Sequence, residues 1–251
     1  MNSPHLQIER LRAGYGATAV LAGVDLALEA GERAALLGSS GSGKSTLLRC
    51  IAGLARPRAG AIRIGGRIAA DASTAIPPAR RGVAMVFQSY ALWPHLTARE
   101  HVRFVAPDPG SADRWLERVR IAPLAGRLPG ELSGGEQARL ALARALATGA
   151  RLLLLDEPLR NLDPPLAAEL REELVRWIGE AGITALIVTH EPRDAVALAT
   201  TAHVLVRGEE GARIGASGPP ADLLANPPGE AVARVLGLHV GKRRFEVGSS
   251  A

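Results

Sequence analysis

Lysine is nearly missing from this sequence. Of its 30 basic residues only two are lysines, Lys44 and Lys242; the others are arginines. There is one cysteine, Cys50, which excludes an internal disulfide and fits a reducing compartment. Aromatic residues make up 3% of the chain, too few for a base-stacking platform. No apolar run approaches the roughly 18 residues a membrane span needs, and "MNSPHLQIERLRAGYG" lacks the apolar core of a secretory signal, so neither is expected. The net charge is +5 and the isoelectric point near 10.3, yet the arginines are interspersed with acids, as in "ELREELVRW", and form no block. That pattern reads as a mixed solvated surface, with no nucleic acid expected as a partner. What is present, 47% hydrophobic and 22% charged residues over 251 positions, suits a globular chain of one large domain or two small ones.

The first of the two lysines lies in an unusual place. Residues 36–48 read "LLGSSGSGKSTLL", with an apolar strand-like segment before and "TLLRCIAGL", spaced as a helix, after. Gly38, Gly41 and Gly43 let successive backbone N–H groups point into one concavity, and the helix start behind them adds a positive field. Gly38–Ser45 fits the phosphate-loop pattern, in which the lysine reaches the β- and γ-phosphates and the next hydroxyl binds Mg²⁺. A compact ammonium fits among phosphate oxygens where a planar guanidinium does not, which accounts for a lysine here in a chain whose other basic residues are, but for Lys242, arginines.

Beyond the loop, short apolar segments alternate with helical ones. Residues 6–35 read as short strands and turns, "GAIRIGGRIAA" as a strand pair, and "GVAMVFQ", "RLLLLDEP" and "ITALIVTH" as buried strands. Residues 97–128 are mixed; "EQARLALARALATGA" is helical, and in "DPPLAAELREELVRWIGEAG" Leu166, Leu170, Leu174 and Ile178 share a helical face. Strands alternating with helices predict an α/β fold with a mostly parallel sheet, whose ligands lie beyond the strands' carboxyl ends. Lys44, Gln88, Asp156 and His190 all fall just past such ends and are expected to converge.

Two acids end "LLLLDEP". A carboxylate at a strand end beside a phosphate loop is what Mg²⁺ takes, which makes Asp156 the metal ligand. Glu157, one residue on, is left to accept a proton from an attacking water. In "LSGGEQARLALARAL" Ser133 and Glu136 fit a capping box, while Gly134 and Gly135 cost helix stability and leave the helix start open to a second anion. Two phosphate-facing helix starts in one chain suggest that two chains share each nucleotide.

The ordered set of Tyr15, "GSSGSGKST", Gln88 in "MVFQSYALWPHLT", "LSGGEQ", "LLLLDEP", "NLD" at 161–163 and His190 in "VTH" resembles the ATP-binding cassette (ABC) ATPases over about residues 6–237. The resemblance implies a P-loop NTPase core with an N-terminal antiparallel β subdomain and a small helical signature subdomain near 90–148. The cassette would fill residues 1–240, with 241–251 as a tail. It implies two ATP molecules sandwiched in a head-to-tail dimer, with a second copy or a homologous cassette. Tyr15 would stack on adenine. Gly38, Ser39, Ser40, Gly41, Ser42, Gly43, Lys44, Ser45 and Thr46 would wrap the phosphates. Ser45, Gln88 and Asp156 would hold Mg²⁺, with Gln88 also touching the attacking water. Glu157 would be the general base, His190 would contact the γ-phosphate, and Ser133, Gly134 and Gly135 would close on the partner's ATP.

The stretch "PPARRGVAMVFQSYALWPHLTARE" is similar to cassettes of bacterial importers for inorganic anions, iron, polyamines, sugars or thiamine. This implies polytopic permease subunits, a solute-binding protein in the complex, and a place at the cytoplasmic face of the inner membrane. Phe87, Tyr90, Leu92 and Trp93 form an apolar stripe suited to the permease; packing in the core is the structural alternative. Three departures stand out. The sequence ends about fourteen residues after "ARVLG", where many such cassettes continue into a regulatory barrel, so that regulation is expected to be absent. The segment between Gln88 and Ser133 is short for the family, and Arg160 stands where a small serine is usual. The competing readings are a soluble cassette ATPase acting on nucleic acid, translation or protein assembly, and a P-loop kinase or GTPase, which has no use for "LSGGEQ".

Overall fold

A computed structural model describes residues 5–108, 110–160 and 162–238. The expected tail, 241–251, and Asn161 of "NLD" lie outside the described residues. The chain begins with strands β1 (Leu6–Tyr15), β2 (Thr18–Leu28) and β3 (Arg33–Gly38), followed by helix α1 (Lys44–Ala52). Next come β4 (Ala59–Ile64), β5 (Arg67–Ala70) and β6 (Val83–Val86), then α2 (Ala98–Arg103), α3 (Ser111–Arg118) and α4 (Gly134–Leu146). The second half runs β7 (Leu152–Asp156), α5 (Pro164–Glu180), β8 (Thr184–Thr189), α6 (Pro192–Leu198), β9 (Thr201–Gly208), β10 (Gly211–Gly218), α7 (Pro220–Ala225) and α8 (Glu230–Val235).

One sheet holds all these strands, in the order β5-β4-β1-β2-β10-β9-β3-β8-β7-β6. From β9 to β6 every neighbour is parallel, and β7 and β8 are buried along their whole lengths, as strands covered on both faces must be. The edge β5-β4-β1-β2 is antiparallel. β10 pairs antiparallel with β9 but meets β2 through the single parallel pairing of Ala212 with Leu21. This is the expected P-loop NTPase core with an antiparallel N-terminal part. The sheet curls around α1, which touches β1 and β2 on one side and β3, β6 and β7 on the other.

One expectation fails in detail. Residues 6–28 are two long strands, not several short ones, because the breaks read as turns are register shifts within the β1–β2 pair, one of them between Ala13 and Gly14. On α5, Leu170, Leu174 and Ile178 are buried as expected, joined by Trp177 and Ala167, while Leu166 is half-buried. Asp163 caps this helix by accepting from the Leu166 N–H (3.1 Å), and Pro164 and Pro165 follow where their missing N–H groups cost nothing.

Three apolar clusters fix the layers. α1 packs inside the curl through Leu47, Leu48 and Ile51; α4 and α5 cover the β6–β7–β8 face with Leu140, Leu142 and Trp177; α6 to α8 cover β9 and β10.

Candidate functional site

The carboxyl ends of β3, β6, β7 and β8 open on one edge of the parallel core, and the predicted residues stand there. Lys44 opens α1, Gln88 lies two residues past β6, Asp156 is the last residue of β7, and His190 follows β8. The loop from Gly38 to Gly43 is shaped by its glycines. Gly41 and Gly43 have φ of 73° and 103°, a region that favours glycine. A methyl group on Gly38 would come within 2.5 Å of the Ser42 hydroxyl. The Ser42 hydroxyl is buried and has no hydrogen-bond partner in the protein. Lys44 is 6% exposed, and its ammonium donates to the carbonyls of Gly38 (2.6 Å) and Ser39 (3.0 Å). Burial pulls the Lys44 pKa down, while Glu157 and Asp156 pull it back up.

Asp156 is buried, and burial pushes its carboxyl up; the adjacent Ser45 hydroxyl opposes this by favouring the ionised form. A hydroxyl and one carboxylate beside a phosphate loop suit Mg²⁺, which completes its shell with water and phosphate oxygens. Among the described residues no group of three or more His, Cys, Asp and Glu is placed to hold a metal ion.

Glu157 has a left-handed backbone, φ 50°, although it is not glycine; its N–H donates to the Val188 carbonyl (3.0 Å), which fixes it against β8. Its carboxylate has two neighbours. Oε1 lies 3.3 Å from Nδ1 of His190, and Oε2 accepts from Nη1 of Arg160 at 2.8 Å. The Arg160 contact was not anticipated, although an acid and an arginine three residues apart were visible in the sequence.

Tyr15 is 52% exposed, and its hydroxyl meets Thr46 at the end of the loop and Arg49 at 3.5 Å. These two contacts lower its pKa, Thr46 more than Arg49. The ring therefore stands beside the cradle. Gln88 is exposed and makes no hydrogen bond among the described residues.

At the start of α4 the capping box is present: the Ser133 N–H donates to Glu136 Oε2 (2.7 Å) and the Ser133 hydroxyl accepts from the Glu136 N–H. Gly134 is open on its side-chain side, as expected of an anion-facing helix start. Gly135 has a different reason to be glycine, since a Cβ there would come within 2.2 Å of Leu166 on α5. Among the described residues no hydrogen bond or ion pair joins Ser133–Gly135 to this chain's own phosphate loop.

The segment after Gln88 is a turn rather than a regular stripe. Tyr90 and Ala91 both have left-handed φ, 60° and 46°, and their carbonyls accept from the two terminal nitrogens of Arg144 on α4, each at 2.7 Å. The same guanidinium lies 4.8 Å from the Trp93 ring centre. His101, fully buried, accepts from the Trp93 N–H through Nε2 and therefore donates from Nδ1 to the Thr97 carbonyl, both at 2.8 Å. Sequence reasoning missed both of these supports. The groove beside them, about 370 Å³, is lined by Val83, Met85, Phe87, Ala91, Trp93 and Val105.

Comparison with known proteins decides the family. The family profile described as "ABC transporter" matches residues 21–160. The chain belongs to the ABC transporter family. It is 41% identical over 238 residues to the Fe(3+) ions import ATP-binding protein FbpC of Mesorhizobium japonicum, covering 92% of this chain and 65% of that protein. It is 42% identical over 242 residues to the sulfate/thiosulfate import ATP-binding protein CysA 2 of Chromobacterium violaceum, covering 94% of this chain and 64% of that one. With the sulfate/thiosulfate import ATP-binding protein CysA of Mycobacterium tuberculosis it shares 42% identity over 231 residues, 89% of this chain and 64% of the relative. The chain thus spans somewhat less than two thirds of the length of these relatives. No helix among the described residues is long and apolar enough to cross a membrane.

Proposed function

We propose that this chain is the ATP-hydrolysing subunit of a bacterial importer, working at the cytoplasmic face of the inner membrane by ATP-dependent closure of two cassettes. One observation carries the reading: Lys44, Asp156, Glu157 and His190 stand on one edge of the parallel core, around a loop that glycine alone can shape.

In this reading residues 38–46 bind the triphosphate, Tyr15 meets the adenine, and Ser45, Asp156 and Gln88 hold Mg²⁺. The ion neutralises phosphate charge and fixes the phosphates in place. Glu157 takes the proton of the attacking water, which Gln88 orients, and His190 contacts the γ-phosphate. Ser133, Gly134 and Gly135 serve the nucleotide of the facing cassette. The cassette occupies 1–240, with 90–148 as its helical subdomain. The groove at Phe87 and Trp93 receives a cytoplasmic segment of a polytopic permease, and a solute-binding protein completes the assembly. The solute is read by those other subunits.

Glu157→Gln keeps every group that binds nucleotide while removing the base. The expected outcome is ATP affinity within about threefold of wild type, loss of steady-state hydrolysis by about a hundredfold or more, and a dimer in size-exclusion chromatography with ATP. Hydrolysis at the wild-type rate overturns the assignment of Glu157. The same variant, tagged and purified from its own host's membranes in detergent with ATP, is expected to bring down a multi-span permease. Recovery of soluble partners or nucleic acid alone overturns the transport role and leaves the ATPase standing.

A further inference from the structure

A general base needs a free oxygen within hydrogen-bond reach of the water it deprotonates. In this chain the Glu157 carboxylate is engaged on both oxygens. The Arg160 N–H donates to the Glu157 carbonyl (3.2 Å), closing a turn that brings the two side chains together. Arg160 Nη1 then holds Oε2 at 2.8 Å, while His190 Nδ1 lies 3.3 Å from Oε1. The Glu157 side chain is only 11% exposed, so the pair lies at the wall of a cavity of about 320 Å³ that Arg160 and His190 also line. The Arg160 carbonyl is in turn 3.5 Å from the Tyr90 hydroxyl, in the segment that follows Gln88.

We infer that Arg160 is a restraint on the general base: its guanidinium holds one oxygen of the Glu157 carboxylate, so hydrolysis proceeds only when that ion pair opens. Arg160 is a positioning residue in this scheme, acting through Glu157. The inference rests on the reading of Glu157 as the base. The Arg160 side chain is 44% exposed, and a pair so open to solvent shifts an equilibrium by about two- to fivefold. That factor sets the size of the effect.

The test uses the full chain and two readouts. In steady-state hydrolysis, Arg160→Ser is expected to raise kcat about two- to fivefold with KM for ATP unchanged, and Arg160→Lys, which keeps the charge but not the planar fork, to fall between it and wild type. A kcat for Arg160→Ser at or below wild type, with an unchanged melting temperature, overturns the restraint. In the nucleotide-free protein, labelling with phenylglyoxal read by peptide mass spectrometry is expected to modify Arg160 about two- to fivefold faster in Glu157→Gln than in wild type. Equal labelling overturns the ion pair itself. The two readings fail separately: an active Glu157→Gln removes the base, whereas an inactive Glu157→Gln beside an unaccelerated Arg160→Ser removes only the restraint.

Discussion

At the scale of single residues, Lys44 shows how one side chain can serve a loop and a ligand together. Its ammonium is buried against two carbonyls of the loop and has two carboxylates nearby, so it is oriented before any phosphate arrives. Lys44→Ala is expected to weaken ATP binding by about 2 kcal/mol, roughly a thirtyfold rise in Kd by calorimetry, the worth of a hydrogen bond to a charged group. Wild-type affinity in that variant counts against the cradle. Lys44, Asp156 and His190 were legible because their positions follow from local pattern: a glycine spacing, a strand end and a polar residue after an apolar run. Gly135 was half legible. Its helix start gave a reason for small residues, but the contact with Leu166 comes from a helix far along the chain, and no local pattern carries it.

At the scale of elements, a buried ion network joins the signature helix to its neighbours. Arg139 of α4 donates to Glu173 of α5 (2.6 Å) and to the Val119 carbonyl (3.1 Å), and Arg120 reaches the second oxygen of Glu173 at 3.2 Å. The side chains of Arg139 and Glu173 are 8% and 4% exposed, so neither charge has water to fall back on. Glu173→Ala is expected to destabilise the fold by about 3 kcal/mol, a fall in Tm of roughly 10 °C, because it takes away the buried partner of the Arg139 guanidinium and leaves it only the exposed Glu169 carboxylate, 3.2 Å away. Replacing both partners, Arg139→Met with Glu173→Leu, is expected to return most of that loss in the same melting experiment. The sequence displayed the acids and arginines of α5 as a solvated mixture. It withheld this pairing because periodicity marks which face is apolar, not which charge is drawn beneath it by a neighbouring helix. The same limit hid Arg144, whose value lies in two carbonyls that turn inward only because Tyr90 and Ala91 adopt left-handed backbones.

At the scale of the whole molecule, buried and half-buried histidines tie stability to pH. His5, His101 and His203 each have the imidazole pKa pushed below 6.5, chiefly by burial. At His101 Arg144 adds to the downward push, and the bond to the Thr97 carbonyl and the charge of Glu100 oppose it. The unfolded chain takes up protons near the ordinary value of 6.5, which the folded chain resists. These groups therefore contribute stability that is present above that value and lost as pH falls below it. His101→Gln, which cannot gain the proton, is expected to show a smaller fall in Tm than wild type between about pH 7.5 and about pH 5.5. A parallel pair of curves removes His101 from that linkage.

The lone cysteine also bears on the protein as a whole. Cys50 is fully buried in α1, and burial pushes its thiol up to about 11, so at neutral pH it offers almost no thiolate to an electrophile. The natural chain is thus already a silent background for site-directed probes. A fluorophore or spin label on a cysteine introduced at exposed Gly130, where a side chain meets nothing and which lies three residues before Ser133, would report the approach of one cassette to another, with the rest of the sequence left as it stands.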